Sequence, residues 1–321
     1  MDNLCHTLVG AALSEAGLKK KTPLAAATLL IGANLPDIDV LAFFWGSHEA
    51  LGFRRGWTHG VLALALWPFV LAGVMKAWDT WVRRRRDPYL EPARFQPLFW
   101  LSVVSILTHP FLDYMNNYGM RWLMPFRDVW YYGDTLFIVD PWMWLALGVG
   151  AFWSRRRWNH GVPREGRPAR IALIAVCVYI AVMADLRILA RNEAHEGLTR
   201  GGEAPERIMA GPVRVTPLRR QVVAEMDGGY AVGGVDWLRT PSFQAAPGLV
   251  PRGADHPAVA AAAATREGKI FLHWARYPYF VVEEKPDRYV VKMGDARYTL
   301  VPGQGFGGYT VEVPRAAVDS A

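Results

Sequence analysis

The first 190 or so residues alternate long apolar runs with short blocks of Arg and Lys, and this pattern constrains the chain more than any other feature. Apolar runs occupy residues 60–75, 95–112, 136–153 and 171–184, after an apolar stretch that begins at Leu24. Each is somewhat shorter than the ~20 residues a full bilayer span needs, so the competing architecture is a soluble all-α core. The flanks decide between them. If Lys19–Lys21 lie inside, alternate crossing puts Arg83–Arg86 with Arg94, and then Arg155–Arg157 with Arg164, Arg167 and Arg170, on that same side. The inner loops then carry fourteen basic residues, and the outer loops carry four, Arg54, Arg55, Arg121 and Arg127. That bias is the positive-inside pattern of an inner-membrane protein.

Composition refines the picture. The 321 residues are 52% apolar, yet mean hydropathy is only +0.07, because the part after about residue 190 is polar and rich in Gly and Pro. A net charge of +7 would suit nucleic acid if it formed one basic surface. Here the basic residues flank apolar runs instead, so nucleic acid is excluded as a partner and the lipid bilayer is expected. Two Cys, Cys5 and Cys177, rule out a disulfide framework or a Cys-rich zinc module. Met1 leads straight into a helix capped by Asp2 or Asn3, so no cleavable signal peptide is expected.

Thr22 and Pro23 read as the N-cap and first position of a second helix, and Pro36 should unwind that helix near Leu35. In the tail, Arg219–Ala224, Lys269–Trp274, Tyr279–Glu284, Arg288–Met293 and Tyr298–Val301 read as short strands, and Ala258–Ala264 as a short helix. The expected fold is an all-α polytopic membrane domain (residues 1–190) followed by a small β-rich extramembrane domain (191–321). About five spans are expected, or six if the first helix also crosses, with the tail on the periplasmic side. Protein partners and oligomeric state are not encoded in any motif.

Ionisable residues inside such a domain mark function. His6 lies in the first helix. Asp37 and Asp39, two apart in a segment that cannot be regular helix, would point the same way from an extended backbone. His59 opens the third segment. His109 and Asp113 share one helix face if the helix continues through Pro110, with Asn116 beyond. Asp134 and Asp140 precede the next helix as possible accessory groups. The assumed topology brings all of them to the same outer face. Carboxylates gathered there and partly desolvated would repel. A divalent cation removes that cost, and imidazole with carboxylate donors suits Zn²⁺, Mn²⁺, Fe²⁺ or Ni²⁺ without choosing among them; Zn²⁺ is the cofactor expected. His6, Asp37, Asp39, His59, His109 and Asp113 are the candidate ligands. Arg54, Arg55, Asn34 and Asn116 are the candidate substrate-binding residues, and Asp39, Arg55 and Asp113 the candidate catalytic ones. His48, His160, His195, His256 and His273 lie in loops or the tail and read as structural, while the Trp residues bordering the apolar runs read as interfacial belts.

At these motifs the sequence resembles the YdjM-like family of membrane-bound, metal-dependent hydrolases. The matching stretches are Met1-Asp2-Asn3 with His6-Thr7 and Gly10, then Ala33 to Asp39, Arg55-Gly56-Trp57-Thr58-His59, Thr108 to Asp113, Tyr118-Gly119 with Met124-Pro125-Phe126, and Phe137 to Pro141. The family pattern commonly has His where this chain has Arg54. The family is distantly similar to zinc-dependent phospholipase C and P1 nuclease, which implies an all-α site that hydrolyses phosphoesters. The resemblance thus implies a phosphoester substrate attacked by metal-activated water, and a site at the outer face beside Arg54 and Arg55 suits a lipid headgroup. The alternative is a non-catalytic membrane binding or assembly protein with a structural metal. A transporter fits less well, because the ionisable residues gather at one face rather than at midplane.

Overall fold

The computed structural model describes residues 1–202, 204–301 and 303–319. They form two compact units, one of Met1–Leu41 and Phe53–Ala184, the other of Ala42–Gly52 and Asp185 onward. Residues 42–52, which the sequence reading leaves in the membrane half, thus belong to the second unit.

The first unit is helical. α1 (Asn3–Glu15) starts at Asp2, whose carboxylate accepts from the Cys5 N–H at 3.1 Å. α2 (Ala25–Gly32) follows Leu24, which sits in the left-handed region at φ 66°. Thr22 is therefore not the helix cap; its hydroxyl instead accepts from the Arg94 N–H at 2.9 Å. The helix stops before Pro36, but the chain does not become extended. It winds through a 3₁₀ stretch, Leu35–Trp45, bent 45° from α2. The extended Asp37–Asp39 segment is thus corrected: the tighter winding keeps the backbone coiled where Pro36 and the missing α-helical bonds forbid a regular helix. α3 (Ser47–Phe53), all but its last residue, lies in the second unit. α4 (Val61–Trp78) passes through a π turn at Asp79–Arg83 into α5 (Arg84–Arg86), and α6 (Phe95–Tyr114) continues through Pro110. α7 (Pro141–Asn159) and the first part of α8 (Arg167–Arg200) complete the unit; from Asp185 onward α8 belongs to the second.

Among the described residues, three helices are long and apolar enough to cross a membrane: Val61–Arg86, Phe95–Tyr114 and Arg167–Arg200. The bent pair Ala25–Gly32 and Leu35–Trp45 raises the count to four. The fifth expected crossing falls on α7, which does not belong to this set. Residues 136–140 are loop, and the last turns of α7 carry Arg155–Arg157, so the run at 136–153 does not yield an apolar helix of full length. Small residues let the helices close on one another. A Cβ on Gly10 would stand 2.7 Å from the Leu29 carbonyl oxygen, and one on Gly32 would stand 2.1 Å from Ser105 Oγ.

The second unit is built on antiparallel sheet. β1 (Arg207–Pro212), β2 (Arg219–Met226), β3 (Gly229–Asp236) and β4 (Thr240–Ala245) pair in sequence order, and β5 (Val250–Pro251) adds to β3. The β2–β3 turn is Asp227-Gly228, with Gly228 at φ 81°. Alternation sorts the side chains: Val222, Ala224 and Met226 pack with Ala190 and Ala194 of α8, while Val223 joins Tyr230, Tyr277 and Tyr279 on the other face. A second sheet orders β6 (Pro278–Glu284), β7 (Arg288–Asp295) and β8 (Gly308–Pro314).

α9 (Pro257–Ala264) agrees with the expected short helix. Lys269–Trp274, expected as a strand, lies in α10 (Arg266–Trp274). The Thr265 hydroxyl caps it by accepting from the Gly268 N–H, and Phe271 and Trp274, three apart, are its buried residues besides Gly268. Tyr298–Val301 is also not a strand: the Tyr298 N–H turns back to the Asp295 carbonyl oxygen. At that turn, buried Asp295 is gripped by Arg297, whose Nη2 donates at 2.8 Å. Burial alone would raise the Asp295 pKa, but the Arg297 charge and the Arg297 and Arg276 N–H groups hold it below the usual carboxylate value.

Candidate metal centre

The break after α2 and the turn before α4 each deliver a polar residue to the end of α6. Asp37, His59, His109 and Asp113 are all buried, and a ligand atom of each lies within 4.8 Å of the others. The spacings are tighter than that limit. His59 Nε2 stands 3.1 Å from His109 Nε2, 3.4 Å from Asp113 Oδ2 and 3.8 Å from Asp37 Oδ1. His109 Nε2 is 3.5 Å from Asp113 Oδ2 and 3.7 Å from Asp37 Oδ1. Donors placed about 2.1 Å from a tetrahedral zinc ion are about 3.4 Å apart, so the residues fit one ion.

The surrounding bonds fix which ring nitrogens face inward. His109 Nδ1 lies 2.7 Å from the Ala33 carbonyl oxygen, which can only accept, so Nδ1 carries the proton. His59 Nδ1 lies 2.9 Å from Thr58 Oγ1, and that hydroxyl reaches Asp39 Oδ2 at 3.2 Å. A hydroxyl that donates to Asp39 accepts from His59 Nδ1–H. The two Nε2 atoms then turn toward each other across 3.1 Å. Burial pushes the His59 pKa down, which favours the neutral ring a metal ligand needs.

Arg55 braces the cluster. Its backbone is left-handed, φ 53°, and its N–H donates to Asp39 Oδ2 at 2.7 Å. Its guanidinium donates to Asp113 Oδ1, Asn116 Oδ1 and the Gly119 carbonyl oxygen at 3.0–3.2 Å, over the face of Tyr118. The Met1 amino group also pairs with Asp113. Such outer bonds orient ligands and tune the ion.

Of the six expected ligands, four converge. His6 is adjacent: its ring stacks on His109 with centroids 3.7 Å apart, and its Nε2 lies 3.3 Å from Asp113 Oδ1. Burial drives its pKa down to about 3, so it too is neutral. Asp39 stands one layer back, behind Thr58 and Arg55, and its buried Oδ1 makes no hydrogen bond. Arg54 is the partly exposed cation at the cluster, with Nη2 3.5 Å from Asp37 and Nε 3.5 Å from Asp39.

The polar atoms of Asn34 tie α1 to α2 through Thr7 and the Leu30 carbonyl oxygen, and Asn116 Oδ1 is taken by Arg55 and the Tyr118 N–H. Asp140 caps α7 and accepts from the Tyr179 hydroxyl at 2.9 Å, whereas Asp134 is buried in the 116–140 loop; neither belongs to the four-residue group. Sequence reasoning did not single out Thr58 or the Ala33 carbonyl. A hydroxyl residue directly before a ligand His was the only available signal for the first, and the second had none.

A family model described as YdjM inner membrane protein matches residues 1–188, which include the whole cluster. YfhP of Bacillus subtilis (strain 168), itself described as uncharacterized, is 23% identical over 164 residues, 48% of this chain and 46% of that relative. The match thus spans about half the length of that curated relative. No solved structure matches. With more than half of its length matched, including the apolar helices and the buried His/Asp group, the chain belongs to the YdjM inner membrane protein family.

Proposed function

We propose that this protein is a metal-dependent hydrolase of the bacterial inner membrane, acting on a phosphoester such as a lipid headgroup. The observation that carries the reading is the pair of Nε2 atoms 3.1 Å apart between two buried carboxylates. A cation among these four donors would satisfy both rings and both carboxylates at once, and nitrogen and oxygen donors in this set favour Zn²⁺. When bound, such a cation supplies Lewis-acid polarisation and lowers the pKa of a neighbouring water.

The chain's own groups do the rest. Arg54 gives the accessible side a positive charge for an anionic headgroup. Asp39, with Oδ1 free of hydrogen bonds, accepts a proton from the attacking water. Arg55 and Thr58 hold Asp113 and His59 in place. Trp57, half-exposed between Arg54 and His59, suits an interfacial substrate. By the positive-inside rule, the cluster and the tail lie on the periplasmic side.

A second reading, a structural ion without catalysis, is favoured by the ligand count, because four protein donors fill a tetrahedral ion. One experiment separates the two. Elemental analysis of detergent-purified protein is combined with a hydrolysis screen of lipid and soluble phosphoesters, comparing wild type with Asp39→Asn. The hydrolase reading expects bound metal in both proteins and chelator-sensitive turnover only in wild type. Metal in both with no turnover favours the structural ion, and absence of metal removes both readings.

A further inference from the structure

The α7–α8 hairpin of the membrane unit carries a second feature that the metal centre does not use. The helices touch where a Cβ on Gly150 would stand 2.4 Å from the Ala172 Cβ and 3.1 Å from the Pro168 carbonyl oxygen. Beside this contact is an open groove of about 640 Å³, within the range of ligand sites. Its walls are apolar and exposed: Leu145, Val149, Trp153 and Ile171 show roughly half their surface. At the hairpin end the lining changes to Arg157 and Arg167, and no acidic residue lines it.

The two ends ask for different chemistry in one molecule. The walls suit an acyl chain. The Arg pair suits a phosphodiester, which guanidinium groups bind through paired N–H donors. Arg157 is held in position, since its Nη2 donates to the Pro163 carbonyl oxygen at 2.8 Å, while its buried Nε makes no hydrogen bond. The guanidinium is half-buried and keeps donors beyond the Pro163 bond, which a phosphate oxygen would accept from. Trp153 stands between apolar wall and basic end, the level at which Trp rings meet headgroups. Arg155, Arg156, Arg164 and Arg170 in the same hairpin add positive charge. Basic pockets between membrane helices select anionic headgroups in this way.

We propose that the α7–α8 groove is a binding site for one anionic diacyl phospholipid. Its phosphate engages Arg157 and Arg167, and an acyl chain lies along Leu145, Val149 and Ile171. The site is separate from the hydrolase centre and does not depend on it: the lipid here is a bound component of the fold, not a substrate.

The test uses the full-length protein, purified in mild detergent and stripped of lipid. Phosphatidylglycerol or phosphatidylcholine is titrated back, and bound lipid is counted by native mass spectrometry. Wild type should hold one phosphatidylglycerol, with phosphatidylcholine at least about tenfold weaker. The double variant Arg157→Gln/Arg167→Gln should lose that preference. Arg85→Gln/Arg86→Gln, an equal charge change at exposed residues elsewhere, should keep it. Ala146→Phe, which fills the groove and leaves both Arg in place, should lose the lipid. Equal affinity of wild type for the two lipids overturns the proposal, as does equal loss in both double variants or unchanged binding by Ala146→Phe. Should the Arg157 variant fail to fold, exposed Arg167→Gln and the wild-type comparison decide the question by the same criteria.

Discussion

Replacing Thr58 by Val tests whether the bonds behind the cluster set its metal affinity. Val keeps the shape and removes one hydroxyl, which lies 2.9 Å from His59 Nδ1 and 3.2 Å from Asp39 Oδ2. Asp39 Oδ2 retains the Arg55 N–H at 2.7 Å, so its loss is small. His59 Nδ1–H is left with only Asp39 Oδ2, 3.4 Å away, in place of the hydroxyl at 2.9 Å, a defect of about 1–3 kcal/mol. The ring can escape by moving its proton to Nε2, but that removes the lone pair that faces His109. Either route charges the cost to metal binding, and about 1.4–2.8 kcal/mol corresponds to a 10–100-fold loss of affinity. The assay is competition with a chromophoric chelator for Zn²⁺ at fixed pH, run on wild type, Thr58→Val and Thr58→Ser. Ser retains the hydroxyl and should stay within a few-fold of wild type. Wild-type affinity in Thr58→Val, with an unchanged thermal midpoint of the metal-free protein, would refute the reasoning.

Further outcomes follow from other contacts. Gly32→Ala places a Cβ 2.1 Å from Ser105 Oγ and 3.1 Å from Leu71 Cδ2, so thermal unfolding should show a loss of about 1–3 kcal/mol; an unchanged midpoint would mean that α2 and α6 are not close-packed. The Asp295 pKa is lower folded than unfolded, so its contribution is present above the unfolded carboxylate value near ~3.9 and is lost as pH falls through the folded value. Asp295→Asn should cost about 3–5 kcal/mol at neutral pH and flatten the acid side of the stability profile, read by urea unfolding at several pH values; an acid limb as steep as wild type would reassign it. An alkaline phosphatase reporter fused after Arg85 or after Arg156 should be silent, and activity at either point would reverse the assigned sidedness.

What the sequence disclosed, and what it hid, follows from the range of the interactions. His109 and Asp113 were readable as one helix face because an i, i+4 spacing is local. Asp37 and His59 were readable as polar residues beside apolar runs, where they are costly without a partner. Asp37 and Asp39 were expected to act alike, but the 3₁₀ winding of Leu35–Trp45 sends one to the cluster and the other behind it. Asn34 and Asn116 look like free polar groups in sequence, and only folding reveals the Thr7 and Arg55 bonds that occupy them. In the tail, Lys269–Trp274 reads as an apolar run of strand length; the cap at Thr265, just upstream, makes it a helix. At 136–153 hydropathy alone does not show that the first five residues are loop and that α7 begins only after the Asp140 cap.

The cluster also has a history in time. The Ala33 carbonyl and the His109 ring that it orients are 76 residues apart, so synthesis at ~5–20 residues per second separates them by roughly 4–15 seconds. During that interval Asp37 and Asp39 have been made, but the imidazole of His109 and the α6 wall have not. Until α6 is made, the bent pair of Ala25–Gly32 and Leu35–Trp45 lacks the helix that supplies His109 and Asp113 to Asp37, so the cluster is completed from its C-terminal side.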